Sequence, residues 1–221
     1  KRKFVEYVNV KEQTGDEAHL FSPTGFLDDT MWHRTYWVYG RAWASGAGGY
    51  YQAGRVAPAG RIMVFDDTTI WGYGRRWQFY KWSTPYVNHL FATAKQPESL
   101  RMTTPAPAQK KADGKKKGGM GETPATRFAY EWSDDLPVQA VAMVHAGQKL
   151  FVAGPPSFMN EEEASKALDD PKIKQQVIDQ GLAYDGRKGS ILTTVSAREG
   201  KGEVSYRLAS MPVFDGMAAA G

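Results

Sequence analysis

The residues best suited to chemistry lie in one run, HLFSPTGFLDDTMWHRTYWVYG, which spans residues 19–40. His33 and Arg34 are adjacent there, and the aromatic residues Trp32 and Tyr36 flank them. A histidine can move protons near neutral pH, and an arginine can grip a carboxylate or a phosphate. The alternative is structural, with Arg34 in an ion pair and the aromatic rings packed between sheets. We predict a strand and its loop that supply packing aromatics, with His33 and Arg34 as the pair that can face a ligand.

Two adjacent carboxylates, Asp28 and Asp29, precede this cluster. Carboxylate oxygens bind calcium, and two carboxyl groups that share a site separate their pKa values and can act as acid and base. Adjacent strand residues point to opposite faces, however, which favours one aspartate in a turn and the other in solvent. Both belong to the full set of ligand-binding candidates: His33, Arg34, Asp28, Asp29, Trp32 and Tyr36.

Other reaction chemistries find little support in the sequence. Cysteine is absent, which excludes a disulfide, a thiol nucleophile and a cysteine-ligated metal. The histidines show no HxH, HxxxH or HExxH spacing, and no GxSxG, SxxK or phosphate-cradling glycine motif occurs. We therefore predict no metal site and assign no catalytic residue.

The elements that must position these side chains are predicted to be short strands, so the expected fold class is all-β. Residues 62–65 and 69–73 are rich in β-branched and aromatic side chains around a turn-forming DDT, which predicts a hairpin. Residues 138–145 and 149–153 repeat this pattern around Gly147. A third pair, SILTTVSA and EVSYRLA, is joined by REGKG, and FVEYVNV and YWVYGRAWA also read as strands.

Two inserts interrupt the strand pattern. Residues 105–124 combine proline, glycine, alanine and lysine with almost no apolar side chains, which predicts a disordered basic loop. Residues 155–188 are predicted to be a helical insertion. Asn160 precedes three glutamates as an N-cap would, and Pro171 suits the first position of a second helix.

Charge and hydropathy limit the classes of partner that this chain is expected to bind. The formal net charge is +4, and most of it lies in the basic loop, where five lysines oppose two acidic residues. A phosphate-binding surface would instead recruit charge from the folded part, so we predict no nucleic-acid binding. No run of about 18 apolar residues occurs, which predicts no membrane span. The first residues, KRKFVEYVNV, lack the apolar segment of a signal peptide.

An internal repeat suggests how the strands are organised. The stretch MVHAG at Met143 recurs as MAAAG at Met217, and each copy follows a Pro-Val pair. Without the helical insertion, about 40 residues separate the two copies, which is the length of one four-stranded propeller blade. The second copy is predicted to be the first strand of a further blade.

The stretch TVSAREGKGEVSYRL has Gly200-Lys201 at a turn and then a strand with Tyr206, where the related repeat commonly has tryptophan. In this it resembles the PQQ-like, or quinoprotein-type, β-propellers. The run at residues 19–40, together with GRIMVFDDTTIWGYGR, LFVAGPP and PVFDGMAAAG, resembles the C-terminal propeller region of large exported bacterial proteins. The resemblance implies a partial β-propeller of four-stranded antiparallel blades over residues 1–221, as one propeller region or a fragment of one. It also implies an extracytoplasmic location, periplasmic or secreted.

Three functions are open at this point. The first is an exported binding or assembly module, not catalytic by itself, whose partners are proteins or the remainder of a longer propeller. The second is a PQQ-dependent oxidoreductase with PQQ and calcium as cofactors, although the vicinal disulfide of PQQ alcohol dehydrogenases cannot form without cysteine. The third is a carbohydrate-binding module, because 7 tryptophans and 11 tyrosines offer flat faces for sugars.

Overall fold

The computed structural model describes residues 18–22, 36–41, 53–79, 87–95 and 128–220. Within these ranges the chain is mostly β, with three antiparallel sheets of three, four and four strands and two α-helices. Of the predicted all-β fold class, the mostly-β character is therefore confirmed. The predicted basic loop at 105–124 and the predicted strand FVEYVNV lie outside the described residues. Neither of the two helices has the length and apolarity that crossing a bilayer requires.

The first sheet is small. It contains β1 (His19–Phe21), β2 (Trp37–Gly40) and β3 (Ala59–Gly60), paired in that order. Tyr36 and Val38 are buried against three alanines, Ala53, Ala57 and Ala59. Small side chains let this sheet pack tightly around one large aromatic ring.

The second sheet is a four-stranded meander in chain order. Its strands are β4 (Ile62–Phe65), β5 (Thr69–Arg75), β6 (Asn88–Ala94) and β7 (Trp132–Asp134). The predicted β4–β5 hairpin is confirmed. Asp66 Oδ1 accepts hydrogen bonds from the backbone N–H groups of Thr68 (2.8 Å) and Thr69 (2.7 Å), which closes the turn.

The third sheet repeats this arrangement. Its strands are β8 (Ala142–Ala146), β9 (Lys149–Gly154), β10 (Ser190–Ser196) and β11 (Gly202–Leu208), again adjacent in chain order. The β8–β9 turn contains Gly147 at φ +63°, a backbone conformation that glycine adopts most readily. β8 begins later than the predicted residue 138. Val138 forms only an isolated bridge with Pro156, and the chain at Gln139 passes so close to Gly154 that a Cβ there would overlap the Gln139 carbonyl oxygen.

The main hydrophobic core lies between the second and third sheets. Trp71, Tyr73 and Leu90 from one sheet pack with residues such as Val152 and Val195 from the other. β4 and β8, the first strands of the two sheets, are neighbours. Burial of large aromatic and branched side chains supplies most of the driving force for this packing.

Two tryptophans lock the sheets together at one end of this core. The indole N–H groups of Trp71 and Trp132 both donate to the carbonyl oxygen of Ala197, at 2.8 and 3.1 Å. The Trp132 ring also lies against Gly200, which has φ +74° in the β10–β11 turn. The second sheet therefore holds the turn of the third sheet by hydrogen bonds and by direct packing.

The two helices lie between β9 and β10, within the predicted insertion. α1 spans Glu161–Lys166 and α2 spans Pro171–Tyr184. The predicted N-cap at Asn160 is confirmed, because its Oδ1 accepts from the N–H groups of Glu162 (2.9 Å) and Glu163 (3.2 Å). Asp170 caps α2 through the N–H of Lys172 at 2.7 Å.

One buried amide ties α2 to the sheet. Gln180 is buried, its Oε1 accepts from the Phe158 N–H at 2.8 Å, and its Nε2 donates to the Pro156 carbonyl at 3.2 Å. The helix position therefore depends on one side chain that satisfies two backbone groups.

The prediction that MAAAG forms a strand is wrong for this chain, because residues 217–220 have no strand structure. A strand needs a neighbour that takes its backbone hydrogen bonds, and no strand pairs with these residues in the described part of the chain. The segment before them is nevertheless held in place. Phe214 packs against the main core, and the Asp215 N–H donates to the Val141 carbonyl at 2.8 Å.

Candidate functional site

The structure describes only one of the six predicted ligand-binding residues, Tyr36. Asp28, Asp29, Trp32, His33 and Arg34 lie outside the described residues, and their role stays a prediction. Tyr36 is 2% exposed and belongs to the core of the first sheet. That position matches the packing role predicted for the aromatics of this run.

A cavity of about 350 Å³ opens elsewhere, where the second sheet meets the helical insertion. β5 and β6 supply its sheet wall, the segment that follows β7 supplies its base, and α1 and α2 supply its helical wall. The polar residues of its lining include Tyr73, Asn88, Gln139, Ser157, Glu163 and Gln176. Pockets that hold small molecules usually measure about 300–1,000 Å³, so this one is large enough for a single compact ligand.

Gln139 is the centre of a hydrogen-bond network in this cavity. Its Oε1 accepts from the Asn88 side-chain N–H (3.0 Å) and from the Tyr73 hydroxyl (3.0 Å), and its Nε2 donates to Ser157 Oγ (3.0 Å). The Tyr73 hydroxyl also lies 3.2 Å from the Val138 carbonyl oxygen. A single buried amide thus fixes the positions of three polar side chains.

The site is neutral at its base and acidic at its mouth. Burial raises the pKa of the Tyr73 phenol well above its ordinary value, so this group stays protonated and remains a donor. Asp135 forms an ion pair with Arg76, at 2.7 Å between Oδ1 and Nη2, and Glu163 is exposed at the mouth. No lysine or arginine is found among the described lining residues.

This arrangement is suited to binding a ligand. Hydroxyl and amide groups orient a ligand by hydrogen bonds, whereas a hydrolytic reaction needs a nucleophile beside an effective base. Ser157 is bonded to an amide, which cannot take its proton. Within the described ranges, no three or more histidine, aspartate and glutamate side chains lie close enough to hold a metal ion.

A second polar pair, His89 and Ser133, has the form of a base and a nucleophile. Ser133 Oγ lies 2.6 Å from His89 Nδ1, and Ser133 is exposed. Burial lowers the pKa of His89 to about 3, and the positive charge of Arg76 adds to this effect. An imidazole with so low a pKa is too weak a base to activate a hydroxyl at neutral pH, so the pair is structural.

Sequence reasoning did not find the cavity. Its polar residues come from two β-strands, a loop and two helices, and single amides and hydroxyls at such distances form no recognisable motif. The only local signal was the predicted insertion itself, which places helices beside a sheet edge.

Comparisons with models of protein families, with curated protein sequences and with solved structures found no match.

Proposed function

We propose that this chain is part of a β-propeller and acts as an exported assembly module that docks a further antiparallel sheet. The second and third sheets are consecutive four-stranded meanders whose first strands are neighbours. Blades that surround a propeller channel have this arrangement. The extracytoplasmic location rests on the family resemblance of the sequence.

The docking role rests on one observation, the apolar outward face of the third sheet. Residues paired across a sheet share a face, so each sheet can be described by rows that cross its four strands. One row of the second sheet, in the core against the third sheet, contains Val64, Trp71, Ala92 and Trp132. The corresponding row of the third sheet contains Val144, Phe151, Thr194 and Val204.

The row in the third sheet faces away from the second sheet, because the core residues Leu150, Val152 and Val195 occupy the alternate positions. Its β11 end is exposed: Val204 is 47% exposed, and Tyr206, which lies one row further along β11, is 56% exposed. Towards the centre of the sheet, Val144 and Phe151 are half-buried and Thr194 is buried. An aromatic and aliphatic face in the position that buries the second sheet's core is suited to the same packing with another sheet.

The occupant that this face predicts is a further four-stranded sheet of the same kind. When the chain is studied alone, a second copy is the available substitute. We expect micromolar self-association by sedimentation velocity, because the open apolar face loses water when two copies meet. Tyr206→Gln should shift the equilibrium towards monomer by about tenfold or more.

Arg207→Gln is the matched control, since Arg207 is the next residue of β11 and points to the opposite face. It should associate as the wild type does. A chain that stays monomeric throughout the micromolar range, or equal effects of the two substitutions, would contradict the docking role.

A further inference from the structure

The cavity beside the helical insertion has polar groups that the docking function does not use. Ser157 Oγ accepts the bond from Gln139 and keeps its own proton to donate, while Asn88 gives its N–H to Gln139 and keeps its Oδ1 as an acceptor. One donor and one acceptor are thus held by the same amide. A hydroxyl group both donates and accepts, so it matches this pair.

The charge of the cavity selects against ions. The described lining has no lysine or arginine to bind a carboxylate or phosphate. The charge of Asp135 is compensated by Arg76, which leaves Glu163 as a solvent-exposed carboxylate at the mouth. Exposed charges bind cations weakly because water and salt screen them, whereas a carboxylate also accepts hydrogen bonds from neutral hydroxyls.

The helical side of the cavity is apolar enough to pack a carbon skeleton. Phe158 is 37% exposed and lines the cavity with Met159 and Ile173, and Lys188 Nζ lies 5.8 Å from the centroid of its ring. Gln176 of α2 adds an amide on the same side. A ligand with hydroxyls on its edge and C–H groups on its face would use both walls at once.

We propose that this cavity binds a neutral polyhydroxylated ligand, a sugar of one or two rings. Asn88 and Ser157 bond one hydroxyl at the base, Gln176 and Glu163 bond hydroxyls nearer the mouth, and Phe158 packs against the ring. A small ligand with these contacts has an expected dissociation constant of about a millimolar. The site lies apart from the outward face of the third sheet.

The first test is saturation-transfer NMR of the 221-residue chain with glucose, galactose, mannose, N-acetylglucosamine and their disaccharides. We expect transfer to the ring protons of at least one sugar. The dissociation constant of that sugar is then measured by calorimetric titration. Absence of transfer to every sugar at about ten times the expected dissociation constant would overturn the proposal.

Substitutions on α2 locate the site without disturbing the sheets. Gln176→Ala should weaken binding by about tenfold through the loss of hydrogen bonds, and Ile173→Trp should abolish it by filling the cavity. Gln175→Ala is the matched control. Gln175 is the adjacent residue of the same type, lies outside the cavity and bonds only Asp179 (3.3 Å) among the described contacts, so binding should be unchanged.

Glu163→Gln tests the chemical class of the ligand. A neutral sugar keeps an acceptor at this position, so its affinity should change by less than about threefold. Choline and putrescine serve as cationic probes. If either binds more tightly than every sugar and loses about tenfold or more of its affinity in Glu163→Gln, the site selects cations and the proposal is wrong.

The same measurements separate this proposal from the docking function. Tyr206→Gln should leave sugar affinity unchanged, and Ile173→Trp should leave self-association unchanged. Circular dichroism of each variant at the binding temperature shows whether it is folded. Sugar binding that persists in a folded Ile173→Trp variant would place the ligand elsewhere and overturn the assignment of this cavity.

Discussion

His89 illustrates at the scale of a single residue how burial sets the chemistry of a side chain. It is 2% exposed, and its ring contacts Phe91 and Tyr130 at centroid distances of 5.1 and 5.4 Å. Its Nε2 is buried and has no hydrogen-bond partner in the described part of the chain. The neutral imidazole therefore acts as an apolar packing group that shares one hydrogen bond with Ser133.

This environment predicts a loss of stability in acid. The unfolded chain protonates His89 near its ordinary pKa of 6.5, whereas the native chain resists protonation until about pH 3. Between these values the unfolded state binds the extra proton. The free energy of unfolding should therefore fall as the pH falls, by about 1.4 kcal/mol per pH unit from this group.

Urea unfolding at several pH values between about 4 and 7 measures this contribution, because over most of this range His89 is protonated in the unfolded chain and neutral in the native chain. His89→Phe should remove the slope that His89 adds, because phenylalanine cannot be protonated. Ser133→Ala should keep that slope, since the burial of His89 is unchanged. Identical slopes in the wild type and His89→Phe would show that His89 is not the group responsible.

At the scale of elements, turns and helices are positioned by contacts that cross between sheets. The β10–β11 turn is held by Trp132 of β7, and α2 is held by Gln180. Each element has the local sequence that favours its own structure, such as a glycine at positive φ or an N-cap. Its location, however, depends on a contact with a distant part of the chain.

Gly200→Ala tests the inter-sheet lock. A methyl group there would meet the Trp132 ring and would also occupy a backbone at φ +74°. We expect a loss of about 2–4 kcal/mol in the free energy of unfolding, measured with urea. Gly147→Ala is the control, because φ is +63° there but nothing lies within 4 Å of the added Cβ. It should cost only about 1–2 kcal/mol, and equal losses would argue against the lock.

Gln180→Leu tests how the helical insertion is anchored. Leucine would leave the Phe158 N–H and the Pro156 carbonyl without their partner, which costs about 1–3 kcal/mol for each buried group. Hydrogen exchange in residues 155–188 should therefore accelerate, whereas exchange in β9 and β10 should not. Gln175→Leu changes an exposed glutamine on the same helix and should leave exchange unchanged. Uniform acceleration across both sheets would instead indicate global destabilisation.

At the scale of the whole molecule, the second and third sheets repeat one design. Each is a meander of four strands, and each presents an apolar row on the same relative face. In the second sheet this face is buried, and in the third sheet its β11 end, at Val204 and Tyr206, is open. Packing of sheets in succession explains both observations, and an open face of this kind is where association is expected.

The sequence was sufficient for features that depend on neighbouring residues. Strand alternation and turn residues predicted the β4–β5 hairpin, and capping residues predicted where α1 and α2 begin. These signals are local because a turn or a cap satisfies its own backbone groups within a few residues. The predicted strand at residues 217–220 failed for the same reason, since a strand needs a partner that local sequence does not supply.

The tertiary structure alone decided which distant side chains meet. Tyr73 and Gln139 are 66 residues apart in the chain, and Trp71 and Ala197 are 126 residues apart, yet both pairs are hydrogen-bonded. Whether such pairs form depends on how the sheets pack, because the packing sets their distance and excludes water from around them. The sequence therefore determined the elements and their ends, while the packing of those elements determined the cavity, the state of His89 and the open face.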